Sequence, residues 1–188
     1  MQRLAILGST RGTVMLDLIH AIQTKKLNAG IEIVISNKND ALILEKARDH
    51  HLPTEFVDPK LFSKEDYDHK ISEILHQFQI DTIVLIGFMR ILSNAFINEW
   101  RNKIINVHPS LLPDFAGMMD KTVHESVIQS GKTETGCTVH YVTEKIDAGP
   151  ILIQKKCQVL PNDTIETLKN RVQKLEGEAL IEAIQLMK

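Results

Sequence analysis

Asn106 and His108 are the residues whose types and spacing best suit chemistry. They lie in IINVHPSLLPDFAG, residues 104–117. The stretch opens on isoleucine, isoleucine and, after Asn106, valine, which predicts a strand that Pro109 ends. Strand side chains two positions apart share a face, so an amide and an imidazole project together from the strand's end. Two donors converging on one oxygen stabilise negative charge developing there, and one such donor lowers a barrier by roughly 3–4 kcal/mol. The plainer alternative is a strand end whose polar groups bond nearby backbone.

Two further stretches suit chemistry. GSTRGT, Gly8–Thr13, joins a predicted strand to a predicted helix. Glycines let backbone N–H groups approach a ligand, and a helix N-terminus offers unsatisfied donors and partial positive charge, which suits a phosphate. The stretch is neither GxGxxG nor a P-loop, and a plain tight turn is the alternative. In EKIDAGP, Glu144–Pro150, Asp147 either shapes a turn or meets His108. A carboxylate within about 4–6 Å of an imidazole favours the charged ring. The other histidines read as dull: His20, His50, His51, His69 and His76 fall on helices, His140 in a strand with a neighbour to satisfy it, and His124 in a later helix, core or surface. The histidines and cysteines show no metal-ligand spacing, and no GxSxG elbow supports a hydrolase triad.

Alternating elements must position these groups. Strands are predicted at Arg3–Leu7, Ile31–Ser36, Thr54–Val57, Thr82–Ile86 and Lys103–Val107. Helices are predicted at Thr13–Thr24, Ala41–His50, behind a Ser63 cap, and at Asn94–Trp100. Near-continuous apolar strands separated by amphipathic helices imply a mostly parallel, Rossmann-like α/β sheet covered on both faces. The second half predicts a helix near Thr122–Gln129, then strands Cys137–Val142 and Ile151–Val159, read as an antiparallel pair. Asp163 and Glu166 predict a capping box for a final helix running to the C-terminus. Ligands of open α/β sheets sit beyond the carboxyl ends of the strands, where Asn106, His108 and the loops after Leu7 and Ile86 all fall.

Composition bounds the rest. The chain has 188 residues, 43% apolar and 24% charged, which predicts one globular domain with a substantial core. A net charge of −2 disfavours nucleic-acid binding by phosphate neutralisation. No apolar run approaches a membrane span and no signal peptide is evident, so a cytoplasmic location is expected, with Cys137 and Cys157 as reduced thiols.

The ordered motifs VLIGFMRIL (84–92), INVHPSLLP (105–113), GCTVHYVT (136–143), IDAGPI (146–151) and RVQKLE (171–176) resemble the folate-dependent formyltransferases, in particular the glycinamide ribonucleotide branch. The likeness covers essentially the whole chain, and the HPSLLP block with a later DxGP is specific to that superfamily. Relatives acting on methionyl-tRNA or sugars usually read HGS, and formyltetrahydrofolate deformylases HHS. At 188 residues there is room for neither of the extra domains that the tRNA enzyme and the deformylase carry.

The resemblance implies a single formyltransferase domain over residues 1–188, its N-terminal half binding the ribonucleotide phosphate and its C-terminal half binding folate and carrying catalysis. It implies that Asn106, His108 and Asp147 are catalytic. The amine of glycinamide ribonucleotide attacks the formyl carbon of 10-formyltetrahydrofolate, a co-substrate, with no metal. The oxyanion lies between Asn106 and protonated His108, and Asp147 keeps His108 charged while an ordered water relays the proton. Folate is implied along Met89, Arg90, Ile91 and Leu92 and along Thr143, Glu144, Lys145, Ile146 and Asp147. Asn106, Thr138 near the water, and Lys64 complete the implied folate set. Gly12, Thr13, Val14 and Glu176 are implied for the ribonucleotide. The implied partners are small-molecule substrates, with neither nucleic acid nor membrane, and the expected state is a monomer or weak homodimer. Formyl transfer needs two held substrates and a charge-stabilising hole but no covalent intermediate, consistent with donors and no activated nucleophile.

Two departures stand out. Val14 replaces an asparagine common in the family, and Met119 and Lys121 stand where histidines often occur, although a second branch reads GxMDxxVH. They leave open an amino-sugar nucleotide as acceptor. A folate-binding relative without turnover is a third reading, opposed by the presence of all three catalytic residues, and a doubly wound domain without catalysis is the baseline.

Overall fold

The structure is a computed structural model that describes residues 1–118 and 121–187, with backbone alone at residue 121. The chain folds as two compact units, Met1–Ile105 and Asn106–Lys188.

The first unit alternates strand and helix. Its elements are β1 (Gln2–Gly8), α1 (Thr13–Gln23), β2 (Ala29–Ser36), α2 (Leu42–Asp49), β3 (Thr54–Phe56), a 3-10 turn (Pro59–Leu61), α3 (Lys64–Gln77), β4 (Thr82–Ile86) and α4 (Asn94–Glu99). β1 pairs in parallel with β2 and β4, and β2 with β3. Leu4, Ala5, Ile6 and Leu7 are all fully buried. Successive strand residues face opposite ways, so β1 is covered on both faces, as a parallel sheet requires. Ser63 caps α3 as expected: its Oγ accepts the Asp66 N–H at 3.2 Å. The 3-10 turn was not anticipated; Pro59 starts it and the Asp58 carboxylate accepts the Lys60 N–H at 3.0 Å.

β5 (Ile104–His108) starts in the first unit and ends in the second. The second unit continues with α5 (Lys121–Gln129), β6 (Glu134–Tyr141), β7 (Ile151–Gln158) and α6 (Ile165–Leu186). β6 and β7 pair antiparallel. Strand order is β3-β2-β1-β4-β5-β6-β7, a mostly parallel sheet with its antiparallel pairing near the C-terminus. Leu168, Val172, Leu180 and Ile184 of α6 are fully buried. Its cap lies one residue later than the sequence suggested. Thr164 Oγ1 accepts the Thr167 N–H and Thr167 Oγ1 accepts the Thr164 N–H, a reciprocal box. Asp163 instead forms a two-pronged ion pair with Arg171, at 2.6 and 2.8 Å.

Gly136 allows β6 and β7 to approach. A Cβ there would lie 1.8 Å from the Lys155 carbonyl oxygen. Gly136→Ala is therefore expected to cost on the order of 1–3 kcal/mol, as overpacking does, read as a lowered urea midpoint. An unchanged midpoint would contradict that close approach.

Candidate active site

Both polar groups of β5 reach the same carboxylate cluster. His108 is 3% exposed. Its Nδ1 lies 3.3 Å from Asp147 Oδ2, and its Nε2 lies 3.2 Å from the Phe115 carbonyl oxygen. Asn106 Nδ2 lies 3.3 Å from His140 Nε2, and that nitrogen lies 3.5 Å from Asp147 Oδ1. Asp147 thus stands between two buried imidazoles, and the contact that the sequence left open is present.

Backbone geometry sets this cluster. Asp147 has φ of 51° and Phe115 φ of 58°. Aspartate tolerates the left-handed region, whereas a bulky residue there is strained and is held by its surroundings. The Gly117 N–H donates to Asp147 Oδ2 at 2.8 Å, joining the loop after β5 to the turn that carries Asp147. That turn closes tightly on β6. The Tyr141 N–H donates to the Pro150 carbonyl at 2.9 Å, and a Cβ at Gly149 would lie 1.8 Å from the Tyr141 carbonyl oxygen. Thr138 is fully buried. Its hydroxyl donates to the Ser110 carbonyl at 2.7 Å and accepts from the Leu112 N–H and Gln154 Nε2, both at 3.0 Å. It staples the SLLP loop rather than presenting its hydroxyl to a ligand.

Opposing influences act on the charge of His108. Burial pushes its pKa down; the Asp147 carboxylate and the Phe115 carbonyl push it up, the neighbouring His140 pushes it down, and the net direction is below the ordinary histidine value. Asp147 thus orients the ring and opposes the effect of burial on it. For Asp147 burial acts upward, but the adjacent His140 ring, the Gly117 N–H and the neighbouring His108 outweigh it, so its pKa is lowered.

The signs give a stability prediction. A histidine whose pKa is lower folded than unfolded contributes stability that is complete above about pH 6.5 and is lost as pH falls below it. The lowered Asp147 also contributes stability lost on acidification, but only below about pH 4, outside this window. Urea midpoints should therefore fall between about pH 7.5 and 5.5, and His108→Asn should flatten that dependence. Equal slopes for both proteins would contradict the burial of a neutral ring.

The sites implied in the first unit are built from loops after β1 and β4. Gly12, at φ of 62°, precedes α1, and a Cβ there would lie 2.3 Å from Ile43 Cγ1, so only glycine fits. No side chain caps α1, which leaves its leading backbone N–H groups to other acceptors. Thr13 is exposed, but Val14 is 3% exposed and packs in the core, so only its backbone could meet a ligand. Ser9 Oγ accepts the Met89 N–H at 2.8 Å and donates to Asn37 Oδ1 at 2.5 Å, tying the two loops together. Met89 and Ile91 are exposed while Leu92 is buried. The Arg90 guanidinium lies 4.3 Å from the Tyr67 ring centroid, a cation–π contact. Lys64 is exposed and lines a shallow cleft with Glu65, Ser93, Asn94 and Ala95.

In the second unit Glu144, Lys145 and Ile146 are exposed and Thr143 Oγ1 donates to the Lys145 carbonyl at 3.2 Å. Glu176 is buried in α6, where its charge adds to burial in pushing the Cys137 thiol up to about 12. Met119, Asp120 and the side chain of Lys121 lie outside the described residues. Among the described residues no group of three or more metal-ligating side chains could hold an ion, and no helix is long and apolar enough to cross a membrane. The sequence reading passed over His140, yet it is buried at 2% exposure within the cluster. Its position two residues from Thr138 on one strand was the available signal.

The formyl transferase family matches residues 2–184. The chain is 42% identical, over 98% of its length, to the trifunctional purine biosynthetic protein adenosine-3 of Bos taurus, and spans 18% of that protein. It is 36% identical to the phosphoribosylglycinamide formyltransferase of Escherichia coli strain K12, over 92% of this chain and 81% of that one. The crystal structure of glycinamide ribonucleotide transformylase 1 from Symbiobacterium toebii matches at a TM-score of 0.94 and 33% identity, covering 99% of this chain and 87% of that one. With nearly all of its length matched by the family, the chain belongs to the formyl transferases.

Proposed function

We propose that this chain transfers the formyl group of 10-formyltetrahydrofolate to the amine of glycinamide ribonucleotide, a step of purine biosynthesis. The observation that carries this reading is the His108–Asp147 contact at 3.3 Å, with Asn106 on the same strand face. The amine nitrogen attacks the formyl carbon, and the carbonyl oxygen becomes an oxyanion. Asn106 donates an N–H to that oxygen. His108 takes the proton that the attacking amine loses. Once charged, it is stabilised by Asp147 and the neighbouring oxyanion, because opposite charges favour the imidazolium. Collapse breaks the bond to folate N10, which receives the proton. The products are the formylated ribonucleotide and tetrahydrofolate.

Supporting roles follow from the resemblance and from exposure. The backbone N–H groups of Gly12, Thr13 and Val14 receive the ribonucleotide phosphate, and Glu176 serves the same substrate. Exposed Met89 and Ile91, with Arg90, Leu92, Lys64 and residues 143–147, serve the folate. A single domain over residues 1–188, acting in the cytoplasm as a monomer or weak homodimer, completes the reading.

The test is acceptor choice. With 10-formyl-5,8-dideazafolate as donor, loss of the formyl group is followed spectroscopically with glycinamide ribonucleotide or an amino-sugar nucleotide as acceptor. Turnover with the first alone is expected. Turnover with the sugar amine alone would replace this reading by the sugar-modifying one.

A further inference from the structure

His140 lies deep in the cluster and has no role in the steps above. Its Nδ1 is 2.9 Å from the Tyr141 carbonyl oxygen. A carbonyl only accepts, so Nδ1 carries the proton of the neutral ring and Nε2 presents a lone pair. The group nearest that lone pair is the Asn106 side-chain nitrogen, at 3.3 Å. An N–H from Asn106 to Nε2 fixes which way the amide faces: nitrogen toward His140, with its second N–H left for a ligand oxygen. The reversed amide would set its own oxygen against the lone pair, two acceptors without a proton between them. Asp147 Oδ1, 3.5 Å from Nε2, is the charged neighbour, with the titratable His108 ring beyond it. A ring protonated at Nε2 would donate to that carboxylate and turn the amide round, withdrawing the donor.

Building on the formyl-transfer reading, we propose that His140 is a positioning residue: held as the Nδ1–H tautomer by the Tyr141 carbonyl, it orients the Asn106 amide so that one N–H is available to the developing oxyanion. β6 supplies both parts, His140 and the carbonyl that sets its tautomer. The substrate never touches His140, so its effect appears in the chemical step rather than in binding.

Two independent measurements test this. Long-range proton–nitrogen NMR of the free protein at pH 7.5 is expected to show His140 protonated at Nδ1 and bare at Nε2. The two Asn106 amide protons should be strongly inequivalent, and less so in His140→Gln. A ring protonated at Nε2 in the wild type overturns the proposal, and this arm needs no turnover. In the kinetic arm, His140→Leu is expected to lower kcat about ten- to a hundredfold with little change in either KM, since a misaimed donor costs rate rather than binding. His140→Gln, which can place an acceptor oxygen near Nε2, should recover several-fold; it also serves if the leucine variant fails to fold. In an Asn106→Ala background the His140→Leu change should cost little further. A full additional loss there, or an increase in KM alone, overturns the proposal. A wild-type protein that transfers no formyl group sinks the functional reading instead, and the tautomer measurement still decides the contact.

Discussion

His108→Ala is expected to lower kcat by about 10³-fold or more while the folate analogue still binds within a few-fold of wild type. The loss combines a proton acceptor, typically contributing about 10²–10⁴, with charge stabilisation beside the oxyanion. Folate binding should survive because His108 is 3% exposed and packs against Asp147 and the Phe115 loop, so its loss removes little surface that a ligand meets. Single-turnover rates and a fluorescence titration with the dideaza analogue separate the two quantities. A variant that turned over within tenfold of wild type would show that His108 does not take part in the chemistry.

Asp147→Asn should lower kcat on the order of 10²-fold and should lower the His108 pKa further. The sign follows from the forces on the ring. Burial disfavours the imidazolium and the carboxylate opposes burial, so a neutral amide leaves burial less opposed. The asparagine oxygen can still accept the Gly117 N–H, so the turn keeps its anchor and the comparison isolates charge. Proton NMR titration of the His108 ring reads the shift. A His108 pKa that stayed put would mean that the 3.3 Å contact carries little electrostatic coupling.

Much of this was legible in the sequence, for reasons that vary by residue. β4 was predicted at Thr82–Ile86 and is observed there, because a short apolar run bounded by Asp81 and Gly87 has clear punctuation. The pairing of Asn106 with His108 followed from strand alternation alone. Their meeting with Asp147 did not, since a contact between a strand and a distant turn has no local signature and rested on the resemblance. The α6 cap was misplaced by one residue because Asp163 and Thr164 are both good caps. What decided between them was Arg171, two turns along, which claims the Asp163 carboxylate. His140 was passed over because a lone strand histidine is most often satisfied by a neighbour. It is, by Tyr141, and that bond also fixes the nitrogen that faces Asn106. The burial that opposes Asp147 at His108 was not legible, because proximity to a carboxylate can be guessed from a motif whereas burial cannot.

Donor fate tests the central claim most directly. With 10-formyl-labelled folate carrying ¹³C and one equivalent of glycinamide ribonucleotide, the formyl carbon is followed by ¹³C NMR through a single turnover. The account predicts that the folate formamide signal decays as an N-formylglycinamide signal grows at the same rate, both abolished in His108→Ala. Label emerging as free formate, or transferring undiminished in that variant, would contradict it.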